Sequence, residues 1–441
     1  MTGAIGCGGS PSPPPTPSPG TGGAETITGR ERLGWDQPAS DTAELATFRY
    51  AIYVDGTRFE LTEVTCGSTA GAAGFVCSAA LPAMSIGSHT LELASFFDAD
   101  GIVESPKSTP LRVTVTATTS PTSVAPLQPG DTVSTGDGVR LGATQLASGL
   151  NDIVDLALMP DGRIVVAERT GRVRIVAGKA VADALPVGTD GGNLSLTLDR
   201  DGGGLGYVYI LHAPPGAFRI VRYRIAGSAL VDRMALVRDV PASTKPSGAL
   251  RLGPDGKLYA ALDDGGSHDA AARPSEWSGK ILRFNADGST PDDQPAASPV
   301  LLSGLKSPRG LGWTPDGATL WMAEQGAEGV ERVKAFAIGP ERPRRANERA
   351  SHALPQPLGA RALAVHRGDD VREFRGDLFI AASEAAYLLR VRFDPSDPTR
   401  AMSSEKLLEG RIGPVRAVAV SADGALIVAG DSSIWRLARV R

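Results

Sequence analysis

The sequence predicts an all-β protein. Short apolar or alternating runs, typical of β-strands, recur along most of the 441 residues. Many of these runs end in tight turns such as Pro254-Asp255-Gly256, in which proline presets φ and glycine takes a positive φ. Helical patterns are almost absent between the turns of the C-terminal two thirds of the chain, which argues against a helical or α/β fold.

Strand-turn-strand units recur six times in the C-terminal region. The aspartates that mark them are Asp161, Asp201, Asp255, Asp316, Asp377 and Asp423, at intervals of 40, 54, 61, 61 and 46 residues. This spacing is typical of propeller blades, with loops in the longer intervals, so it predicts a six-bladed β-propeller over residues 141–441. A lactonase-like or NHL-like propeller has the same periodicity, and the repeat alone does not choose a family.

Composition limits the partners. The chain has 45 basic and 49 acidic residues, a formal net charge of −4, and the charges are interspersed. This pattern gives no footprint for nucleic acid or for an anionic membrane. No run approaches the roughly eighteen apolar residues that a membrane-spanning helix needs. The hydrophobic fraction of 41% supports a sizeable core and two or more domains.

Residues 1–24 predict export. Ala4-Ile5-Gly6-Cys7 resembles the lipobox of a bacterial lipoprotein, which predicts lipidation of Cys7, although the basic and apolar parts of a signal peptide do not precede it. A Pro, Ser and Gly linker follows. We therefore expect an extracytoplasmic protein, either a periplasmic or cell-surface lipoprotein or a secreted one. The alternative is a chance cysteine in a disordered tail.

Residues 25–118 predict a separate β-sandwich. An early Trp35 and the alternation from Phe48 to Val54 into an Asp55-Gly56 hairpin turn are typical of immunoglobulin-like or fibronectin-III-like domains. Such domains usually space or bind, and this one shows no catalytic constellation. Residues 119–140, rich in Thr, Ser and Pro, form the linker to the propeller.

Two further cysteines predict a disulfide in this domain. Cys66 and Cys77 bracket the run Gly71–Gly74, so two strands joined by that loop can bring the thiols together. Export would favour the bridge, and two free buried thiols are the alternative. The sequence contains no Gly-rich phosphate loop, no Cys or His metal pair and no Gly-x-Ser-x-Gly nucleophile elbow.

Four ordered motifs carry a family resemblance. They are Gly253-Pro254-Asp255-Gly256-Lys257, Gly279-Lys280-Ile281-Leu282-Arg283 with its Asn285-x-Asp-Gly exit, Leu305-x-x-Pro-x-Gly-Leu, and Glu324-Gln325-Gly326. In this order they resemble the soluble quinoprotein glucose and sorbosone dehydrogenases, six-bladed propellers with pyrroloquinoline quinone (PQQ) and calcium. The resemblance implies oxidation of an aldose at its anomeric carbon, with hydride transfer to the quinone, and an external electron acceptor.

The resemblance also assigns a catalytic base, and here the chain departs from the family. Lys245 stands where the family has a histidine. The pKa of an ordinary lysine, about 10.4, would have to fall by roughly three units for a neutral base at pH 7. The ordinary role of such a lysine is a solvated or anion-pairing side chain. His268, on the loop after Leu258–Asp264, is the alternative base, although a lone loop histidine is more often simply exposed.

Cofactor positions are partly kept. Lys306 replaces an arginine of the family, Gln325 matches a glutamine, and Arg416 matches one of two arginines before the last Asp-Gly turn. Glu384 falls where the family has a lysine that faces the cofactor. The main-chain carbonyls of Gly326 and Ala327 stand where the family holds calcium, and carbonyl ligands suit a hard cation.

Two hypotheses follow from this mixture of matches and departures. In the first, the protein is an exported PQQ-dependent aldose dehydrogenase with a remodelled site. In the second, it is a catalytically inactive propeller that acts as a surface-tethered carbohydrate- or protein-binding module. The motifs of the scaffold favour the first, and the replaced base favours the second.

Overall fold

The structure is a computed structural model that describes most of the chain in two compact units. The first unit consists of residues 1–119 and 401–403, and the second of the remainder. The described residues are 18–19, 25–27, 31–61, 64–82, 84, 87–99, 101–115, 124–186, 191–199, 206–294, 297–326, 328–339, 342–355, 357–368, 370–394, 397 and 400–440. No helix among these residues is long and apolar enough to cross a membrane.

The first unit contains two β-sheets. One has the strand order β1-β3-β7-β6, and the other has the order β2-β10-β8-β4-β5 with β9 paired to β8. A short helix α1, Thr42–Leu45, precedes β4 and is capped by the Asp41 side chain. The strands are β1 Ser18–Pro19, β2 Glu25–Ile27, β3 Arg32–Gln37, β4 Arg49–Val54, β5 Thr57–Leu61, β6 Thr65–Gly71, β7 Gly74–Ala80, β8 Gly87–Ala99, β9 Gly101–Glu104 and β10 Leu111–Val115.

Both sheets of the first unit share one hydrophobic core. Trp35 comes from one sheet and Ile52 and Leu93 from the other, and all three are buried. The Asp55-Gly56 turn has positive φ at both residues, 50° and 82°, as a two-residue hairpin turn requires. Cys66 and Cys77 lie opposite each other on β6 and β7 and are joined by a disulfide. Assignment of this unit to the immunoglobulin or fibronectin-III type stays a prediction.

The second unit contains six sheets in its described residues, and the prediction of a six-bladed propeller is confirmed. Five sheets have four strands each, in sequence order from β13 to β32. The sixth has the order β11-β12-β35-β34-β33. The strands are β11 Thr132–Ser134, β12 Arg140–Ala147, β13 Ile153–Leu158, β14 Ile164–Glu168, β15 Val173–Ala177, β16 Ala180–Leu185, β17 Gly192–Leu198, β18 Tyr207–Ala213, β19 Ala217–Ala226, β20 Ala229–Pro241, β21 Gly248–Leu252, β22 Leu258–Leu262, β23 Lys280–Phe284, β24 Val300–Ser303, β25 Ser307–Trp313, β26 Thr319–Gln325, β27 Glu331–Gly339, β28 Arg342–Ala353, β29 Ala360–Val365, β30 Leu378–Ala382, β31 Tyr387–Phe393, β32 Ala401–Leu407, β33 Ala417–Val420, β34 Leu426–Ala429 and β35 Ile434–Arg439.

The six sheets form a closed ring. The inner strands β13, β17, β21, β25, β29 and β33 contact one another in that order, and β33 also contacts β13. The last blade joins both ends of the propeller sequence, because β12 pairs with β35 through Leu141 and Arg439 at one end of the ladder and Ala147 and Ile434 at the other. Helix α2, His268–Ala272, and a short 3-10 helix, Arg372–Phe374, lie in loops between strands.

Asp-Gly turns join the first two strands of several blades, as the repeat predicts. Gly162, Gly256, Gly317 and Gly424 have φ of 85°, 71°, 74° and 85° in these turns. This left-handed region favours glycine, which explains the recurring residue. Asp201, which marks the second unit of the repeat, lies outside the described residues.

Buried ion pairs join neighbouring blades. On the inner strands, Asp155 accepts hydrogen bonds from Ser195 Oγ at 2.6 Å and from Arg251 at 2.7 Å. Farther out, the fully buried Arg390 contacts three carboxylates, Asp377 at 2.7 Å, Asp137 at 2.9 Å and Glu405 at 2.7 Å. Asp137 lies in the turn between β11 and β12, so Arg390 connects the fifth blade to the closing blade.

Candidate functional site

A narrow cleft lies on the propeller axis, and we call it the axial cleft. It encloses about 40 Å³. Residues at the start of the inner strands of all six blades, or next to them, contribute to it, which places it at the centre of the ring. Its lining residues are Ile153, Val154, Arg169, Leu194, Pro246, Ser247, Gly248, Arg309, Arg361 and Arg416.

β-bulges aim four of these residues into the axial cleft. The register of the first two strands of a blade shifts between Ile153 and Asp155, between Asn193 and Ser195, between Pro308 and Gly310, and between Ala360 and Ala362. The residues left out of the ladder are therefore Val154, Leu194, Arg309 and Arg361. A bulge re-aims a side chain without ending the strand, and all four side chains line the cleft.

Two of the four arginines have carboxylate partners. Arg169 Nε lies 2.8 Å from Asp152 Oδ2, and Arg416 Nε lies 2.5 Å from Asp431 Oδ1. Both side chains keep some exposure to solvent. Because each has a carboxylate partner, the charges of Arg169 and Arg416 are balanced in part before any ligand binds.

Arg309 and Arg361 make no ion pair with any described residue. The Nε of Arg309 is buried and has no hydrogen-bond partner there. Arg361 donates from Nε to the Ser383 hydroxyl at 3.1 Å. Burial lowers the pKa of both guanidiniums, and the positive charges of Arg309, Arg169 and Arg416 lower the pKa of Arg361 further. These two arginines are positive charges without direct compensation.

The carboxylates near these arginines differ in how firmly they are held. Glu331 accepts hydrogen bonds from the backbone N–H groups of Leu358, Gly359 and Ala360 at 2.8–3.1 Å. Asp263 accepts from Ser243, Ser247 and Gly265. Glu384, by contrast, is exposed and makes no ion pair with a described residue.

A second and larger cleft, here called the lateral cleft, lies beside the fourth blade. It encloses about 300 Å³. Most of its lining is charged or polar. The lining residues are His268, Gly304, Lys306, Glu324, Gly326, Glu328, Arg332, Lys334, Glu348 and Ser351.

The cations of the lateral cleft are already paired. Lys306 Nζ lies 2.7 Å from the buried Asp264, and Lys334 Nζ lies 2.9 Å from the buried Glu324. Arg332 and Glu328 are 3.3 Å apart. The lateral cleft is therefore close to neutral, whereas the axial cleft carries excess positive charge.

The predicted site residues do not converge on one cleft. Arg416 lines the axial cleft, while Lys306, His268 and Gly326 line the lateral cleft. Lys245 is exposed and lines neither cleft, although its neighbour Pro246 lies at the axis. His268 is exposed at the start of α2.

The predicted calcium site lies only partly in the described chain. Gly326 donates to Val330 O and accepts from Gly329 N–H, each at 3.0 Å, within a turn. Gln325 donates to Gly329 O at 3.1 Å in the same turn. Ala327 and Cys7 lie outside the described residues. No group of three or more His, Cys, Asp or Glu side chains that could hold a metal occurs among the residues with described positions.

Sequence reasoning missed Arg169, Arg309 and Arg361. Arg309 lies inside the quoted Leu305-x-x-Pro-x-Gly-Leu motif, so a second cation in that motif was a usable signal. Arg169 directly follows β14 and Arg361 is the second residue of β29, but no motif marks them. Their side chains come together only through the ring and its bulges.

The fold and the axial cleft define a six-bladed β-propeller with an unbalanced cluster of arginines at its axis. The sequence pattern of the Glucose / Sorbosone dehydrogenase family matches residues 150–342 and 334–439. The chain therefore belongs to the Glucose / Sorbosone dehydrogenase family, as the four motifs indicate.

Similarities to known proteins in sequence and structure are consistent with this family assignment. The quinoprotein glucose dehydrogenase B of Acinetobacter calcoaceticus is 29% identical over 141 residues, which are 26% of this chain and 29% of that protein. A putative oxidoreductase (glucose dehydrogenase) of Thermus thermophilus has a similar structure, with 26% identity, a TM-score of 0.58, and coverage of 67% of this chain and 99% of that one. The PQQ-bound aldose sugar dehydrogenase of Streptomyces coelicolor shares the fold, with 22% identity, a TM-score of 0.57, and coverage of 68% and 98%.

Proposed function

We propose that this protein binds PQQ through the arginines of the axial cleft and oxidises an aldose at its anomeric carbon. The observation that carries the proposal is the pair Arg309 and Arg361, which are partly buried and have no ion-pair partner among the described residues. An uncompensated buried charge is costly, so it favours a bound anion. The family to which the chain belongs supports PQQ as that anion.

The residues present fit the carboxylates of PQQ. Arginine presents a planar fork of N–H donors that matches a carboxylate, and the buried Nε of Arg309 is a donor without an acceptor. Arg361 and Arg416 supply further donors, although Arg416 would share its charge with Asp431. Arg309 and Arg361 would take over from the family's lysine and arginine positions that the chain has changed, while Arg416 is a position that it keeps.

The size of the axial cleft limits how PQQ would bind. Its volume of about 40 Å³ is far below the roughly 300–1,000 Å³ of pockets that enclose a whole ligand. The cleft would therefore take carboxylate groups, with the remainder of the molecule outside it. When bound, PQQ supplies the quinone that accepts hydride from the sugar.

Calcium, compartment and electron acceptor are parts of the same proposal. The Gly326 carbonyl keeps one lone pair free, which suits a hard cation such as calcium. The Cys66–Cys77 disulfide is of a kind that persists in oxidising compartments, which supports an extracytoplasmic location. The reduced cofactor would pass its electrons to an external acceptor.

The test is titration of the purified chain with PQQ and calcium, followed by dye reduction with a panel of aldoses. We expect a heat of binding at micromolar PQQ and sugar-dependent dye reduction. Arg219 is a partly exposed arginine of strand β19 that lines neither cleft. Arg219→Met is therefore the matched control for variants of the axial arginines. No binding to the calcium-loaded protein at these concentrations would refute the proposal.

A second candidate is favoured by one observation. Lys245 and His268, the two positions considered for the base, do not line the axial cleft with the arginines. On that basis the propeller would hold an anionic ligand without turnover and act as a carbohydrate- or protein-binding module. PQQ binding without dye reduction by any aldose would favour this candidate over the enzyme.

A further inference from the structure

We propose that the axial cleft is a binding site for a free divalent oxyanion, of the sulfate or hydrogen phosphate class, which competes there with the carboxylates of the cofactor. Only the competition rests on the proposed function, since the binding of an inorganic ion requires neither cofactor nor turnover. Three observations support the site. They concern the approach of two arginines, the charge of the lining, and the size of the cleft.

The backbone of two neighbouring blades brings Arg309 and Arg361 together. Strand β25 packs closely against β29, because a Cβ atom at Gly310 would lie 2.8 Å from the Leu363 nitrogen and 3.2 Å from the Ala362 carbonyl carbon. Arg309 immediately precedes Gly310 in the chain. Arg361 precedes Ala362, and both arginines are bulged out of the ladders of their strands. Their side chains therefore line one cleft from adjacent strands.

The charge of the axial cleft is unbalanced on one side. Arg169 and Arg416 already contact carboxylates. Arg309 and Arg361 form no ion pair within the described chain, and the buried Nε of Arg309 is a donor without an acceptor there. None of the described residues that line the cleft is acidic. The two unpaired guanidiniums carry two positive charges, which one divalent anion balances and one monocarboxylate does not.

The size of the axial cleft selects a small ligand. Its volume of about 40 Å³ is a few times the roughly 10–15 Å³ that one water molecule needs, so it suits a single small ion. A guanidinium donates to two oxygens of one oxyanion at once. The apolar side chains of Val154 and Leu194 also line the cleft, and such surroundings strengthen the attraction between opposite charges.

The test is calorimetric titration of the purified chain, without PQQ, at constant ionic strength. Sodium sulfate and sodium phosphate, the latter in mildly alkaline buffer, are titrated separately, and the tighter of the two identifies the ligand. We expect one site per chain. Acetate and chloride should bind several-fold more weakly, because each carries a single charge. Equal affinity for acetate and sulfate would overturn the assignment of a divalent ion.

Variants of the two unpaired arginines locate the site. Arg309→Met and Arg361→Met should each weaken oxyanion binding about tenfold to a hundredfold, the effect of losing one charged hydrogen-bond donor. Arg219→Met should bind as the wild type does. Sulfate also stabilises proteins in general, because it is excluded from their surface, so the comparison uses heats of binding and not melting temperatures. Wild-type affinity in both axial variants would overturn the site.

Competition with the cofactor is measured on the calcium-loaded wild type. Sulfate at about ten times its own Kd should raise the apparent Kd of PQQ about tenfold. Unchanged PQQ affinity would overturn the competition. Oxyanion binding without PQQ binding would support the site and refute the proposed function. PQQ binding without oxyanion binding would overturn the site and leave the proposed function intact.

Discussion

Arg309 and Arg361, from neighbouring blades, both line the axial cleft, and the positive charge of Arg309 lowers the pKa of Arg361. Both residues are bulged out of the ladders of their strands. Like charges that line one small cleft are unfavourable unless an anion balances them. On the proposed function, the cluster therefore sacrifices stability for the binding of an anion.

Removal of Arg309 should move stability and binding in opposite directions. Arg309→Met deletes a partly buried charge without an ion-pair partner, so we expect an equal or higher melting temperature. The same change removes a charged hydrogen-bond donor worth about 1.5–3 kcal/mol, which weakens PQQ binding roughly tenfold to a hundredfold. Thermal unfolding and calorimetry measure the two effects.

Arg283→Met is the matched control for this prediction. Arg283 is fully buried but lies 2.8 Å from Asp255 and 2.7 Å from Asp293. Its removal breaks charged hydrogen bonds to both carboxylates and should cost about 1.5–3 kcal/mol of unfolding free energy. A similar loss of stability in Arg309→Met would contradict the view that Arg309 is uncompensated.

The two clefts should respond differently to loss of a cation. Arg361→Met should weaken PQQ binding at least tenfold, because Arg361 has no acid partner among the described residues and is available to the ligand. Lys306→Met should instead destabilise the fold by about 1–3 kcal/mol, because it strips the buried Asp264 of its ion pair. Comparable losses of PQQ affinity in both variants would show that the lateral cleft also binds the cofactor.

Stability should fall as the pH rises from about 4 to about 7. Burial raises the pKa of Asp377 from 3.8 to about 7, and the negative charge of Asp137 adds to the increase, while Arg390 acts against it. The folded state therefore holds a proton that the unfolded state releases near pH 4, and its stabilising effect is lost as the pH approaches and passes 7. One such proton gives a slope of up to about 1.4 kcal/mol per pH unit.

Asp377→Asn tests this dependence. The amide is similar in shape and cannot ionise, so we expect its unfolding free energy to vary less between pH 4 and 7 than that of the wild type. Urea unfolding at several pH values provides the measurement. An unchanged slope in the variant would assign the proton to another group.

The disulfide should stabilise the first unit. Cys66 and Cys77 are 11 residues apart, so their bridge closes a short loop in the unfolded chain and contributes about 2–3 kcal/mol. We expect the Cys66→Ser, Cys77→Ser double variant to unfold this unit at a lower temperature and the propeller at an unchanged one. A single transition lowered as a whole would show instead that the two units unfold together.

The propeller could be predicted from the sequence because its signals are local. Each Asp-Gly turn is specified within a few residues, and the glycines do adopt the positive φ that such turns require. The axial cleft could not be predicted in the same way. Lys306 and Arg309 are three residues apart, yet Lys306 lines the lateral cleft and Arg309 the axial one. Arg309 is bulged out of the ladder of its strand, and nothing in the sequence marks the place of that bulge.

The replaced catalytic base shows a second limit of prediction from the sequence. Position 245 could be found by counting from the turn at Gly253, but counting along one blade says nothing about groups that other blades bring to the axis. In the sequence, Glu384 stands out only as a charge reversal at a single position. The contact of its neighbour Ser383 with Arg361 depends on the turn after β30, which the Ser383 hydroxyl fixes against Gly359.

The bulges place residues that line the axial cleft outside the hydrogen-bond ladders that hold each blade together. Val154, Leu194, Arg309 and Arg361 occupy equivalent places outside the ladders, two of them apolar and two cationic, in blades of the same form. A substitution at such a place alters the axis without breaking a strand pair. Ligand preference in this scaffold can therefore drift, or be redesigned, one side chain at a time while the ring stays closed.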